Sequence, residues 1–317
     1  MKTKLFIPGQ PPLWILLLAL LGAPLLSAEP RILPDPEVRQ GEVLSVLVWD
    51  RRNYPGVSAQ LLVEGRSPQR VQGFPVIAGE EGWYGWLILF GIDSLLRTGP
   101  ARVVCSLEGF SGAPEAPVNI LPGNFFSEDI PLNEAMSSLS QTEDPERTRQ
   151  SQVMTRLFYT FNRDNVFLFE PLSQPMTGRR RTSYFGDRRR FLYAGGGVSQ
   201  SIHYGVDFSA EPGAPIGSDG PGRVVFSDYR IITGHTVVVE HLPGVYSLYY
   251  HMTDRNLNVG NMVETGTRIG TVGATGLVTG AHLHWEVRVN GVAVSPDFLT
   301  QKTLVDKDRF LSIVRTR

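Results

Sequence analysis

The sequence predicts a mostly β protein in which two β domains are joined by a partly helical connector. Short runs rich in Val, Leu, Tyr and Trp alternate with turns along most of the chain, which has 33 glycines and 23 prolines. One clear stretch, residues 144–161, has apolar residues recurring at helical spacing. With 317 residues, 42% of them hydrophobic and 19% charged, the chain is long enough for two globular domains and too apolar for wholesale disorder.

Residues 1–28 have the features of a signal peptide. Two lysines precede a leucine-rich apolar run at residues 13–26, and the small residues Ser27 and Ala28 follow. The run is shorter than the about 20 residues that a membrane span needs. We therefore expect signal cleavage, export to the periplasm or cell envelope, and no stable membrane span afterwards. An uncleaved N-terminal anchor is the alternative.

Residues 29–122 are expected to form a β-sandwich, for which an immunoglobulin-like arrangement is one candidate. Four strand-like runs are separated by turns, at residues 42–49, 59–63, 83–90 and 101–107. The lone Cys105 cannot form an internal disulfide, and its apolar surroundings indicate a buried, inert thiol. No cluster here carries recognisable chemistry, so we interpret this part as a spacer or binding domain.

Residues 123–170 are interpreted as a connector with one amphipathic helix. Asp144 and Pro145 provide a helix start, with the aspartate as N-cap and the proline at the first helical position. The apolar positions that follow are Val153, Leu157, Phe158 and Phe161. We expect this face to pack on a neighbouring domain. A connector in this place could also cover the groove of the domain that follows it.

Residues 171–300 are predicted to form a compact, mostly antiparallel β domain with no helix, and residues 301–317 a C-terminal tail. Glycine-punctuated strand runs occur at residues 223–226, 236–240, 246–250, 268–272 and 284–289. Two runs of three arginines, at 179–181 and 188–190, are interpreted as solvated loops flanking a cleft, with an anionic-polymer site as the alternative. A net charge of -1 gives no electrostatic case for a nucleic-acid partner.

The histidines indicate where the chemistry lies. All six fall between residues 203 and 284, at His203, His235, His241, His251, His282 and His284. His203 and Asp207 are four apart, and His282 and His284 are two apart in a strand-like run, which places each pair on one face. Leu283 would then face the core. His235 and His241 lack partners at useful spacing, and we interpret both as structural or surface residues.

This residue set suits a catalytic zinc site, which keeps three protein ligands and one open position. His203, Asp207 and one histidine of the 282/284 pair supply the ligands. The other histidine of the pair, together with His251, would act as base and charge stabiliser. No serine nucleophile elbow and no His-Glu-x-x-His helix is present, so those hydrolase designs are excluded.

The order of these motifs resembles the LytM/lysostaphin-type zinc endopeptidases of bacterial cell-wall metabolism. The resemblance covers residues 183–296, about a third of the chain, and the N-terminal domain has no comparable match. The matching segments are residues 183–188, 203–208, 212–215, 220–225, 236–241, 249–251, 259–266, 269–276 and 279–287.

The resemblance implies a small β domain of the duplicated-hybrid-motif type, with a sheet as the floor of a groove. It implies zinc bound by His203, Asp207 and His284. His282 would be the general base or would orient the attacking water, and His251 would assist by stabilising the oxyanion or by holding that water. The implied activity is hydrolysis of peptidoglycan peptide cross-links, and every position of the active pattern is filled. A regulator of cell-wall amidases and a peptidase of exported proteins are the alternatives. The bond that is cut and the oligomeric state are not predicted.

Overall fold

Strands dominate the N-terminal part of the computed structural model, which describes residues 29–141 and 144–316. The strands are β1 (Arg31–Pro34), β2 (Glu37–Arg39), β3 (Val43–Asp50), β4 (Val57–Val63), β5 (Gln69–Gln72), β6 (Phe74–Ala78), β7 (Tyr84–Gly91), β8 (Gly99–Leu107) and β9 (Glu115–Leu121). One short 3-10 turn, Glu80–Gly82, precedes β7. The strands form a four-stranded sheet, β1-β3-β7-β6, and a five-stranded sheet, β2-β9-β8-β4-β5. The signal peptide expected at residues 1–28 lies outside the described residues.

These two sheets bury a common hydrophobic cluster. Alternate residues of β7, namely Trp86, Ile88 and Phe90, belong to the same cluster as Val103 and Cys105 of β8. Burial raises the pKa of the Cys105 thiol to about 12, so its interpretation as an inert buried thiol is confirmed. The immunoglobulin-like arrangement stays a prediction.

The connector contains more structure than the single helix expected from the sequence. It holds β10 (Ser127–Pro131), α1 (Glu134–Gln141) and α2 (Pro145–Phe158). The one-helix prediction was wrong because α1, with eight residues, is too short to show a helical period. Its sequence signal is Asn133, whose side chain accepts a hydrogen bond from the Met136 N–H at 2.9 Å.

The second connector helix begins as predicted. Pro145 is its first residue, and the Asp144 carboxylate accepts a hydrogen bond from the Glu146 N–H at 2.7 Å. Met154 and Phe158 on its buried face pack against Tyr246 and its neighbours in the C-terminal sheet. The expected packing on a neighbouring domain is therefore confirmed.

The C-terminal part is built on an eight-stranded antiparallel sheet, as predicted. Its strands and those around it are β11 (Arg181–Ser183), β12 (Arg188–Leu192), β13 (Val198–Ile202), β14 (Gly205–Ser209), β15 (Pro215–Gly217), β16 (Gly222–Arg230), β17 (Gly234–Leu242), β18 (Val245–Met252), β19 (Asp254–Arg255), β20 (Met262–Val263), β21 (Arg268–Thr271), β22 (His282–Val289) and β23 (Val292–Val294). The main sheet has the order β11-β14-β22-β18-β17-β16-β20, with β23 also paired to β22. Two three-stranded sheets flank it, β15-β21-β19 and β10-β12-β13, so a connector strand joins this domain.

Two helices follow the last strand, although no helix was predicted for residues 171–300 and residues 301–317 were expected to form a tail. They are α3 (Pro296–Leu299) and α4 (Lys307–Thr316). In α4, Phe310 and Val314 are four residues apart and buried. One short apolar stripe of this kind is enough to stabilise a helix once a neighbouring element covers it. That neighbour is the N-terminal domain, whose Leu47 and Leu89 belong to the same cluster. The expected tail therefore ties the two β domains together.

Across the part of the chain that the structure describes, no helix combines the length and apolar character needed to cross a membrane.

A buried aspartate joins the strands beneath the histidine-bearing end of the sheet. Asp219 is fully buried and accepts hydrogen bonds from the Tyr249 hydroxyl at 2.6 Å, Trp285 Nε1 at 2.8 Å and the Ser247 hydroxyl. His241 Nε2 lies 3.1 Å from its carboxylate. Burial alone would raise the pKa of Asp219, but His241 and the hydroxyl donors outweigh burial and lower it.

We expect Asp219→Ala to lower the free energy of unfolding by about 3–5 kcal/mol, because it leaves several buried donors and His241 without their acceptor. Urea denaturation followed by circular dichroism measures this change. Asp228→Ala is the control, since the Asp228 side chain is 69% exposed and lies 3.5 Å from Arg255. Equal, small effects of the two substitutions would show that Asp219 does not hold these strands together.

Candidate metal centre

Two neighbouring antiparallel strands bring the predicted metal ligands together. Asp207 of β14 lies directly opposite His284 of β22, and His203 lies two residues before the start of β14. Close approach of the strands requires Gly205, because a Cβ at that position would lie 2.3 Å from the Trp285 carbonyl oxygen. Leu283, between the two histidines of β22, is fully buried, as the alternation of a strand predicts.

Three ligand atoms converge on one point. His203 Nε2 lies 3.0 Å from Asp207 Oδ1 and 2.9 Å from His284 Nδ1, and His284 Nδ1 lies 2.9 Å from Asp207 Oδ1. All three residues are buried. Ligands of a tetrahedral zinc ion with bonds of about 2.0 Å would be about 3.3 Å apart. The triangle is therefore close to the size that such an ion needs.

Hydrogen bonding on the far side of each imidazole sets which nitrogen faces this point. His203 Nδ1 donates to the Tyr184 carbonyl oxygen at 2.9 Å, so a neutral His203 presents a bare lone pair at Nε2. His284 Nε2 faces the Glu286 carboxylate at 3.6 Å, which leaves Nδ1 for the centre. With both imidazoles neutral, each of the three atoms directs an electron pair at this point, and these electron pairs repel one another unless a cation lies between them. The donor set therefore fits a metal ion.

The charges of the surrounding groups also favour a metal ion at the point where the three ligand atoms converge. Burial lowers the pKa of His203, which favours the neutral form of its ring. Burial would raise the pKa of Asp207, but the two neighbouring histidines outweigh burial and lower it well below its usual range. Burial would also lower the pKa of His284, yet Asp207 and Glu286 outweigh burial and raise it to about 9. The two carboxylates thus make this point attractive to positive charge.

Two further histidines line the groove beside the three ligand atoms. His251 Nδ1 donates to the Thr275 carbonyl at 2.9 Å, and His282 Nδ1 donates to the Gly280 carbonyl at 2.8 Å. Each ring therefore has its Nε2 lone pair available. His282 Nε2 lies 3.8 Å from Asp207 Oδ1. The ring centroids of His251 and His282 are 4.9 Å apart. Burial and the neighbouring histidines lower the pKa of His251 to about 3, so His251 is uncharged.

His251 has an unusual backbone conformation. Its φ of 61° lies in the left-handed region, which costs about 1–3 kcal/mol for a residue other than glycine. Backbone hydrogen bonds hold it there, from the His251 N–H to the Thr233 carbonyl and from the Thr275 N–H to the His251 carbonyl. A strained residue held in a groove of histidines indicates that the direction of its ring matters.

The groove has a volume of about 360 Å³, and connector residues supply part of its lining. Ile130 lies in β10, Met136 lies in α1, and Leu132 lies in the turn between these two elements. Residues 277–281 also line the groove. The resemblance implied such a groove, and its covering by the connector was one possibility drawn from the sequence.

The interpretation of residues 188–190 as a solvated loop was wrong. These arginines form β12, and Arg189 has only 16% of its side chain exposed. Arg189 Nη2 lies 2.9 Å from Asp207 Oδ2, and its Nε lies 2.7 Å from Glu128 Oε1. Arg188 donates to the Ser94 hydroxyl and carbonyl in the N-terminal domain. The sequence signal that was missed is the acidic pair at 128–129 in a strand-like segment.

The remaining histidines lie away from the groove lining, as expected. The His235 ring packs against Tyr229 with centroids 5.3 Å apart, and His241 pairs with Asp219 inside the sheet. Tyr250 is a departure from the resembled pattern, which has a small residue here. Its ring stacks on His284 with centroids 5.2 Å apart and an interplanar angle of 8°, so it fixes the plane of that imidazole.

Comparison with known proteins places the groove-bearing domain in a family. Residues 201–296 match the family model described as Peptidase family M23. Peptidoglycan DD-endopeptidase ShyC of Vibrio cholerae serotype O1 is 38% identical over 125 residues, which are 39% of this chain and 28% of that protein. DD-carboxypeptidase/endopeptidase Mpg of Neisseria meningitidis serogroup B is 35% identical over 123 residues, which are 39% of this chain and 27% of that protein. The chain thus spans about a quarter of the length of these relatives.

One solved structure is similar over most of the chain. The crystal structure of an M23 peptidase candidate from Pseudomonas aeruginosa has a TM-score of 0.52 and 22% identity, covering 80% of this chain and 92% of that one. At this identity the match supports the fold alone, and its coverage extends beyond the C-terminal domain. The family match confirms, for residues 201–296, the resemblance drawn from the motifs: this part of the chain is a domain of the kind described as Peptidase family M23.

Proposed function

We propose that the protein is a zinc-dependent endopeptidase that hydrolyses peptide cross-links of bacterial peptidoglycan in the periplasm or cell envelope. The observation that carries the proposal is the convergence of three buried ligand atoms beside two histidines with free Nε2 lone pairs, at the floor of a groove. The relatives named as peptidoglycan DD-endopeptidases support the substrate class.

His203, Asp207 and His284 are the proposed zinc ligands. Two imidazoles and one carboxylate are a common ligand set of catalytic zinc, which leaves a fourth position open to water or substrate. When bound, zinc supplies a Lewis acid that polarises the scissile carbonyl and lowers the pKa of a water molecule to about 7.

His282 is the proposed general base. Its Nδ1 hydrogen is engaged by the Gly280 carbonyl, so its Nε2 can accept a proton from the attacking water and return it to the leaving amine. Its side chain is 18% exposed, which allows contact with substrate in the groove.

His251 is proposed to hold the attacking water. An uncharged ring whose Nδ1 hydrogen is engaged by the Thr275 carbonyl offers only an acceptor at Nε2. An acceptor orients a water hydrogen, whereas an oxyanion would need a donor. Holding the water is therefore favoured over stabilising the oxyanion, the other role that the resemblance implied.

We expect His284→Ala and Asp207→Ala to lose zinc and activity together, because each removes one of three ligands. His282→Ala and His251→Ala are expected to retain zinc and lose about 100-fold or more in kcat, since they remove proton transfer and water orientation. Metal content after gel filtration, measured by atomic absorption, separates the two classes. Loss of zinc from His282→Ala with retention in His284→Ala would reverse the assignment within the pair.

Digestion of purified cross-linked peptidoglycan by the zinc-loaded protein tests the activity itself. We expect new peptide ends, identified by mass spectrometry, that are absent when His284→Ala replaces the unaltered protein. The masses of these ends identify the bond that is cut. Intact cross-links after treatment with a zinc-loaded protein would contradict the proposal. Stimulation of a cell-wall amidase or cleavage of exported proteins would then favour the corresponding alternative.

A further inference from the structure

A strand of the connector is hydrogen-bonded into the sheet beside the metal centre. β10 runs parallel to β12, with Glu128 opposite Arg189 and Asp129 opposite Arg190. Two acidic residues thus face two arginines in the same register. Of these two pairs, only Glu128 with Arg189 contacts a residue of the metal centre.

The residue that the Glu128–Arg189 pair contacts is Asp207. Arg189 donates to Glu128 Oε1 through Nε at 2.7 Å and to Asp207 Oδ2 through Nη2 at 2.9 Å. The exposed fractions of the three side chains are 36% for Glu128, 16% for Arg189 and 8% for Asp207, so the chain of contacts runs inward from the connector. The two oxygens of Asp207 are thereby divided between Arg189 at Oδ2 and the histidines at Oδ1.

We propose that Arg189, held by Glu128 of the connector, is a positioning residue that fixes Asp207 as a metal ligand. The inference rests on the metal centre of the proposed function and extends it to a segment outside the residues that match the family model. Groups that hydrogen-bond a metal ligand from behind fix its orientation, and their loss typically weakens metal affinity about 10- to 100-fold.

Arg189 also has an opposing effect on metal binding, so the direction in which its removal changes metal affinity tests the proposal. A guanidinium next to Asp207 also repels a divalent cation, so its charge alone would weaken metal binding. If charge were the main effect, removing Arg189 would tighten metal binding. If orientation of the carboxylate is the main effect, removing Arg189 loosens it. Glu128 reduces the repulsion by compensating the charge of Arg189, and it also fixes the direction of the guanidinium.

The neighbouring pair on the same two strands provides a matched control. Asp129 and Arg190 lie 3.5 Å apart, and both side chains are about half exposed, at 50% and 54%. Among the described contacts, neither touches Asp207. Asp129→Asn therefore removes one negative charge from the same strand without reaching the metal centre.

This role changes what the connector is expected to do. A segment that only covered the groove could be removed with a gain in activity, whereas one that positions a metal ligand cannot be removed without weakening the site. The structure places Glu128, Ile130 and Leu132 in the groove lining, and Glu128 also holds Arg189, so the connector forms part of the site.

The test measures zinc and cobalt affinity of the full chain by competition with a chromophoric chelator, without peptidoglycan. We expect Arg189→Met and Glu128→Gln to weaken binding about 10- to 100-fold, and Asp129→Asn to leave it nearly unchanged. The visible absorption spectrum of the cobalt-loaded protein should change in Arg189→Met, because the ligand field depends on how the Asp207 carboxylate is oriented. Circular dichroism confirms that each variant is folded.

Equal or tighter binding by Arg189→Met, with an unchanged cobalt spectrum, would overturn the proposal. So would equal weakening by Asp129→Asn and Glu128→Gln, which would indicate a general charge effect. If the unaltered protein binds no metal, both the proposed metal centre and this inference are wrong. An unaltered protein that binds metal but spares peptidoglycan would contradict only the proposed substrate, and the affinities of the variants would still decide the role of Arg189.

Discussion

The close approach of three electron-pair donors, on His203, Asp207 and His284, is the constraint on which the rest of the site depends. The contact of His203 with the Tyr184 carbonyl fixes the hydrogen of that ring away from the centre, so a neutral His203 brings an electron pair, and no hydrogen, to the carboxylate of Asp207. The surrounding fold keeps them together at this distance. Pairing of β14 with β22 sets Asp207 opposite His284, and Gly205 allows the strands to meet.

Three other buried carboxylates of the domain, on Asp219, Glu286 and Glu240, have polar partners. Asp219 beneath the site is held by hydroxyl and indole donors and by His241. Glu286 behind His284 pairs with Arg288 at 2.5 Å. Glu240 accepts from the amides of Asn162 and Asn165 of the connector, and burial raises its pKa. Because an unpaired buried charge is strongly destabilising, these partners hold the sheet in one register and so fix the histidines.

The connector is accordingly part of the C-terminal β domain in physical terms. β10 pairs with β12, Met154 and Phe158 of α2 cover one face of the main sheet, and the asparagines after α2 reach Glu240. The C-terminal helix performs a similar task at the other end, where Phe310 and Val314 pack on the N-terminal domain. These contacts unite the two β domains around a shared hydrophobic core.

The sequence predicted the parts of this structure that depend on short-range periodicity. Two-residue alternation placed His282 and His284 on the groove side and Leu283 in the core, and the cap at Asp144 identified the start of α2. Contacts between distant segments were not predictable in the same way. Nothing local to Arg189 indicates that it lies between Glu128, 61 residues away, and Asp207, 18 residues away. The short α1 and α4 were missed because neither is long enough to show a helical pattern in the sequence.

The most direct test of the metal centre is an anomalous difference map from crystals of the zinc-loaded protein, measured on both sides of the zinc absorption edge. We predict one strong peak about 2.0–2.2 Å from His203 Nε2, Asp207 Oδ1 and His284 Nδ1. His282 and His251 should lie outside bonding distance of that peak. A peak bonded to His282 in place of His284, or no peak at the three atoms in a zinc-loaded crystal, would contradict the account.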